Sequence, residues 1–413
     1  MKRCLLRFAV CCVALNLYAR PMWSADEPSG ASPPSAASVG HNAAVIYWQA
    51  FAALRLTEAQ EKEIPAAVKA LESHVPNDLR ASLAGFQASL HELHRAYPVR
   101  ECDWELEYAA GPMLRLPHLN HVRELSYVAL LRARTRFADG ETDAAVTDVL
   151  AVMKMARDCG RSPVLIPMLM DIAMEKMATD VLAANLSQLD PAQLNQLTTS
   201  LQELPPSASL AEGLRQESDM FGGWVGRRIE QEAAKINDLK AGAQILGVIQ
   251  AEGLLGDDLT MGTDADAKRR RELVQSLTLE ELRSAVHRLH SDYEEVAKIA
   301  ELQYAERGPK FAAFQAGLDQ SRKLANRDDL VRSLSIQFLP SYQMVSLRMK
   351  ELHVRRSLLD LAIQVQLHGP DVLKTAPIHG ATVEHHQTDA GFELRYQIPG
   401  ADKTESLKVP AKK

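Results

Sequence analysis

The chain has 413 residues, 46% of them apolar, which is enough to bury a sizeable core in one or two domains and excludes a disordered chain. Its 47 Lys and Arg against 53 Asp and Glu leave a net charge of −6, a sign that disfavours non-specific nucleic-acid binding. Aromatic residues are only 5% while Ala and Leu abound, a balance that favours helices over sheets.

The first residues set the expected compartment. Met1, Lys2, Arg3 and Arg7 give a positive start, and Phe8 to Tyr18 is an apolar run too short to cross a bilayer. This is the layout of a secretory signal peptide covering residues 1–25, with cleavage expected between Ala19 and Ala25. Cys11 and Cys12 raise lipidation as an alternative, against which Val10 stands where a small residue should be. Without residues 1–25 the chain keeps 43 basic and 53 acidic groups, a net −10, and has no transmembrane helix. Only Cys102 and Cys159 then remain, which excludes a four-thiolate zinc site and a disulfide-rich framework.

Residues 26–41 are small and Pro-containing and read as a flexible linker. From Asn42 the chain reads as helix after helix. Asn42 caps a first helix through Leu54, Thr57 and Gln60 have capping-box spacing, Pro65 suits the first turn of a further segment, and Asn77 caps a helix through Ala96. Pro98 to Pro117 is non-helical. Val122, Leu125, Ala129, Ala133 and Phe137 then form one apolar stripe, with Arg123 and Arg134 off it, and Asp139-Gly140 ends that helix. Ala145, Val149, Val152 and Ala156 repeat the period up to Gly160, which makes a helical hairpin. Further helices are predicted over Pro163 to Leu186, from Asp190 to Pro205, and over Leu210 to Ile236 despite Gly222-Gly223.

Gly253 to Asp266 is a loop by composition, and a subdivision of the helical domain falls near 205–265. Thr278 and Glu281 form another capping box, opening a helix whose Leu282, Val286, Leu289, Tyr293, Val296 and Ala300 make a packing seam. Asp328 to His368 is helical with an interruption at Pro340. Thr382 to His386 and Phe392 to Tyr396 then flank Asp389-Ala390-Gly391 with strand period, a β-hairpin. The expected fold is all-α, packed antiparallel helical hairpins in an irregular solenoid or bundle over 42–369, with a small C-terminal β-hairpin and tail over 370–413. The change of period after His368 implies that the helices fold without the hairpin.

Cys102-Asp103-Trp104, Gly111-Pro112, Leu116 to Leu119, and Arg132 to Arg134 with Gly140 resemble an uncharacterised family of exported helical proteins from planctomycete-type bacteria, over about Asn42 to Arg228. Pro377, Gly380, Gly391 and Phe392 are similar to the prepilin-like tail of that family, with a shorter preceding segment. The resemblance implies fold and export and carries no activity. Gly140 followed by Ala145 is also similar to the turn of a tetratricopeptide hairpin, without the other signature positions or a regular period.

Few residues point to chemistry. His91 and His94 are three apart on one predicted helix, so both imidazoles could reach a metal, although zinc hydrolases of the zincin type space their histidines four apart. His118 and His121 repeat the spacing at a helix start, where neutral histidines commonly hydrogen-bond locally, while His287, His290, His385 and His386 read as solvated or at a strand end. Asp257, Asp258, Asp264 and Asp266 lack the glycine and glutamate of a calcium loop, and Arg348, Lys350, Arg355 and Arg356 read as a solvated basic face. No nucleophile elbow, phosphate loop or dinucleotide turn is present, so no cofactor is expected. Cys102 precedes the start of one hairpin helix and Cys159 ends the other, which places them for a disulfide. The sequence favours an exported, non-catalytic module of the periplasm or cell envelope that binds proteins through helix grooves. The alternative is a metal-dependent enzyme using His91 and His94.

Overall fold

Short-range capping signals set many helix starts. The computed structural model describes residues 42–236, 241–251, 265–321, 327–337, 342–374, 378, 382–398 and 403–411. The expected signal peptide and linker, and most of the loop from Gly253, lie outside these residues. Helix α1 (Ala43–Ala53) opens where the Asn42 side chain accepts from the Ala44 N–H at 3.0 Å. The same amide exchanges two hydrogen bonds with the Asp103 backbone, at 2.8 and 2.9 Å, and so ties the irregular segment to the start of α1. The Thr57–Gln60 capping box opens α2 (Glu58–Lys69).

Two boundaries differ from the sequence reading. Pro65 lies inside α2 rather than in the first turn of a separate segment, its missing N–H costing one helical bond. The helix expected from Asn77 to Ala96 is broken into α3 (Asn77–Ser82), a 3₁₀ turn over Leu83–Phe86 and α4 (Gln87–Ala96). Asn77 is already helical there and makes no side-chain cap, and the weak helix former Gly85 sits in the tightened turn.

The hairpin is formed by α5 (His118–Ala138) and α6 (Thr142–Gly160). Gly140 turns the chain at φ +80, where its N–H and that of Glu141 bond back to the carbonyls of Phe137 and Arg136 at 3.2 and 2.9 Å. Beyond it, α7 (Leu165–Asn185) packs on α6, and an Asp190–Gln193 capping box starts α8 (Pro191–Glu203). Helix α9 (Leu210–Glu217) continues through a π-turn over Ser218–Gly222 into α10 (Gly223–Ala233). That wide turn is how the helix absorbs Gly222-Gly223.

Helices α11 (Gly242–Ala251), α12 (Ala265–Gln275), α13 (Leu279–Glu301), α14 (Tyr304–Ser321), α15 (Arg327–Gln337) and α16 (Tyr342–His368) complete the helical part. Asp266 is therefore helical, not loop. The Thr278–Glu281 box caps α13, and its seam from Leu282 to Ala300 is packed.

The C-terminal element is larger than a hairpin. Strands β1 (Glu384–Thr388), β2 (Gly391–Gln397) and β3 (Thr404–Pro410) form an antiparallel sheet in that order. In β3, Glu405, Leu407 and Val409 alternate inward against Thr404, Ser406 and Lys408, a period of two inside the stretch read as tail. Leu394, Tyr396, Leu407 and Val409 join one apolar cluster with α1, α5, α6, α7 and the second half of α16. The sheet is therefore built into the main core. A second cluster joins the start of α7 to α9, α13, α14 and the first half of α16, and a third lies among α10 to α13 and α15.

Candidate functional site

Two packed helices bring the first candidate histidine onto a buried acid. Asp148 on α6 is fully shielded, and Arg132 and Arg136, four apart on α5, fork onto it: Arg132 Nε donates at 2.9 Å, Arg132 Nη2 at 2.5 Å and Arg136 Nη1 at 2.9 Å. His94 Nε2 on α4 lies 2.7 Å from Asp148 Oδ1. A buried carboxylate needs such saturation to offset its desolvation. His94 is thus turned into the hairpin while His91 stands exposed, and they share no third ligand. Among the described residues no group of three His, Cys, Asp or Glu could hold a metal ion.

A second polar cluster joins α1, the irregular segment and the end of α6. Asp158 accepts from the Tyr47 hydroxyl at 2.9 Å, Lys154 Nζ at 2.5 Å and Arg161 Nη2 at 2.6 Å, and its carbonyl accepts from Trp104 Nε1 at 3.2 Å. Cys102 and Cys159 flank this cluster, half-buried and buried, and both are thiols in the structure. Burial first, then nearby acids, hold both well above the ordinary thiol range, so neither is an activated thiolate. Each also lies within electrostatic reach of the other.

His118 is an exception to the rule that buried polar groups find partners. It is fully shielded, its ring stacks on Trp104 at 4.5 Å, and among the described residues neither ring nitrogen has a partner, so the local hydrogen bond expected at this helix start is not made. Burial, followed by His121, pushes its pKa down to about 4 and keeps it neutral. His121 stacks on Phe51 at 5.4 Å and reaches Glu124 at 3.3 Å.

Other expectations are corrected by packing. Arg134, off the apolar stripe of α5, is buried all the same; it caps the end of α2 by donating to the carbonyls of Ala67, Ala70, Leu71 and Ser73. In the basic stretch of α16 Arg348 is exposed, as a solvated face requires, but Arg355 pairs with Asp180 and Glu405, Arg356 donates to Glu175 at 2.7 Å, and Lys350 is buried. His290 is held 2.8 Å from Ser218 in the π-turn, whereas His287 is exposed. With a shielded hydroxyl and, among the described residues, no carboxylate on the ring, this serine–histidine pair fastens the π-turn to α13. His386 is exposed beside Glu384, and Asp257, Asp258 and Asp264 lie outside the described residues.

Sequence reasoning missed Asp171 and Glu175, one turn apart on α7. Glu175 takes Arg157 Nε at 2.5 Å and Arg356, while Asp171 packs over Gly160. Burial, then the charge of Glu175, pushes the Asp171 carboxyl well above the usual carboxylate range. The i,i+4 spacing was visible, but their inward direction depends on α16.

The described surface carries several grooves. One between α7 and α16 holds about 230 Å³ and is lined by Leu169, Ile172 and Leu352 with Lys176, Arg348 and Glu351 at its edge. No protein-family model matches the chain, and comparison with curated proteins and with solved structures likewise finds no match.

Proposed function

We propose that this chain is an exported, non-catalytic module of the cell envelope that binds an amphipathic helix of a partner protein along the groove between α7 and α16. The observation that carries the reading is a set of large apolar side chains left in solvent: Ile166 at 40% exposure, Met344 at 39% and Leu347 at 40%. Ile166 lies one turn before Leu169 on α7, and Leu347 one turn before Glu351 on α16, so these side chains prolong the groove. Lys176 and exposed Arg348, which line the groove, suit an acidic flank of such a helix. Further support comes from the buried acids, since Asp148, Asp158 and Glu175 are engaged by internal cations and His94 Nε2 lies on Asp148.

The test is a photo-crosslinking side chain at position 347 in the chain as its host exports it. A discrete heteromeric adduct is expected, lost on Ile166→Asp or Met344→Asp and not formed from a crosslinker at exposed Glu58. No adduct at position 347, or the same adduct from position 58, would remove the reading. Export is tested by N-terminal sequencing of the envelope fraction: an intact Met1 there defeats it.

A further inference from the structure

A second groove lies where α13, α14 and α15 meet, and its chemistry differs from that of the first. Its apolar floor is Ile299 and Leu302 at the end of α13 with Phe314 of α14, and it holds about 510 Å³, within the usual range of small-molecule sites. Three cations, Lys298, Lys310 and Arg332, line it against the single acid Glu295.

Those cations are poorly neutralised by the protein itself. Lys298 reaches Glu294 only at 3.9 Å, and Lys310 is exposed with no carboxylate partner among the described residues. Arg332 extends over Gly317, where an added Cβ would lie 3.6 Å from its Nη2. Its Nε is shielded from water and has no hydrogen-bond partner among the described residues. Asp292, which feels the Arg332 charge, accepts from Ser335 Oγ at 3.0 Å through Oδ2 and has its Oδ1 3.0 Å from Arg288 Nε without a formed hydrogen bond. Three cations against one acid give the groove a positive field that favours an anionic ligand.

We propose that this groove binds a small amphiphile with one anionic oxygen head, a carboxylate or phosphate, and an alkyl tail. The head is held by Arg332 and Lys310, and the tail lies on Ile299, Leu302 and Phe314. The reading is independent of a protein partner at the α7–α16 groove, which shares none of these residues.

Calorimetric titration of the full chain with dodecanoate, with acetate and dodecyl maltoside as head-only and neutral-head controls, tests it. Dodecanoate is expected to bind one to one. Arg332→Gln and Lys310→Gln should each weaken binding about tenfold, the weight of one charge-assisted contact. Arg348→Gln, in the other groove, should leave it unchanged. Lys310 is exposed, so its variant tests the head site even if Arg332→Gln fails to fold. Absence of saturable binding, equal affinity in Lys310→Gln, or an affinity matched by either control would overturn the proposal.

Discussion

Polar residues inside the hairpin show where reading by period stops. Arg132, Arg134 and Asp148 are buried, yet a stripe spaced by three and four marks only the apolar side of α5 and α6. The partners that bury them are 16 residues away for Arg132 and more than 60 for Arg134, so only the fold brings them together. Replacing Asp148 with Ala strands Arg132, Arg136 and His94 around an empty carboxylate site and is expected to cost about 3–5 kcal/mol in urea unfolding. A loss under about 1 kcal/mol would show that the three groups find water instead. His118 gives the opposite pH signature from a paired histidine. Its folded pKa of about 4 lies below an unfolded value of about 6.5, so its stability contribution is full above 6.5 and is lost as pH falls toward 4. His118→Phe keeps the stack on Trp104 and removes both unpaired nitrogens. Its urea midpoint should exceed that of the unaltered chain at about pH 5, with the gap narrowing by about pH 7.5; a gap constant with pH would disconnect His118 from the acid limb.

Elements were legible where their signals are local. The boxes at Thr57 and Thr278 and the cap at Asn42 each act over two or three residues, and each stands where the sequence put it. The break at Gly85 and the helical Pro65 depend on packing against neighbours, which local signals do not carry. The irregular segment around Trp104 is held by Asn42, by the Asp158 carbonyl and by stacking of its indole on Tyr47 at 5.7 Å. That places Cys102 beside the end of α6, and we expect a Cys102–Cys159 disulfide in exported protein, stabilising by on the order of 4 kcal/mol in the chain-entropy model. Because burial suppresses both thiolates, the bond should form during folding and not by exchange in the folded state. Alkylation of the unreduced, denatured exported chain should label no thiol. Two labels per chain would defeat this expectation.

At the scale of the whole molecule, the helical class was legible because nearly every segment repeats at three and four, while the role of the sheet was not. Strand period says that a segment has an inner face and not what that face covers. Leu394, Tyr396, Leu407 and Val409 cover the same cluster that holds Val354, Leu358 and Leu361 of α16 and Val181 of α7. Arg355 reinforces the junction by bridging Asp180 on α7 to Glu405 and to the Ser406 carbonyl on β3. A chain ending at Gly369 would therefore expose the apolar side of α7 and α16 and strand Arg355 with one partner. Each fully buried large apolar side chain contributes about 1.5–3 kcal/mol, so losing the four that the sheet supplies is comparable with the whole stability of a domain. We expect the shortened chain to lose its cooperative urea transition and to bind a hydrophobic dye while keeping part of its far-ultraviolet helical signal. An unchanged midpoint and an unchanged slope would show instead that α7 and α16 close over the gap and that the sheet is an appendage.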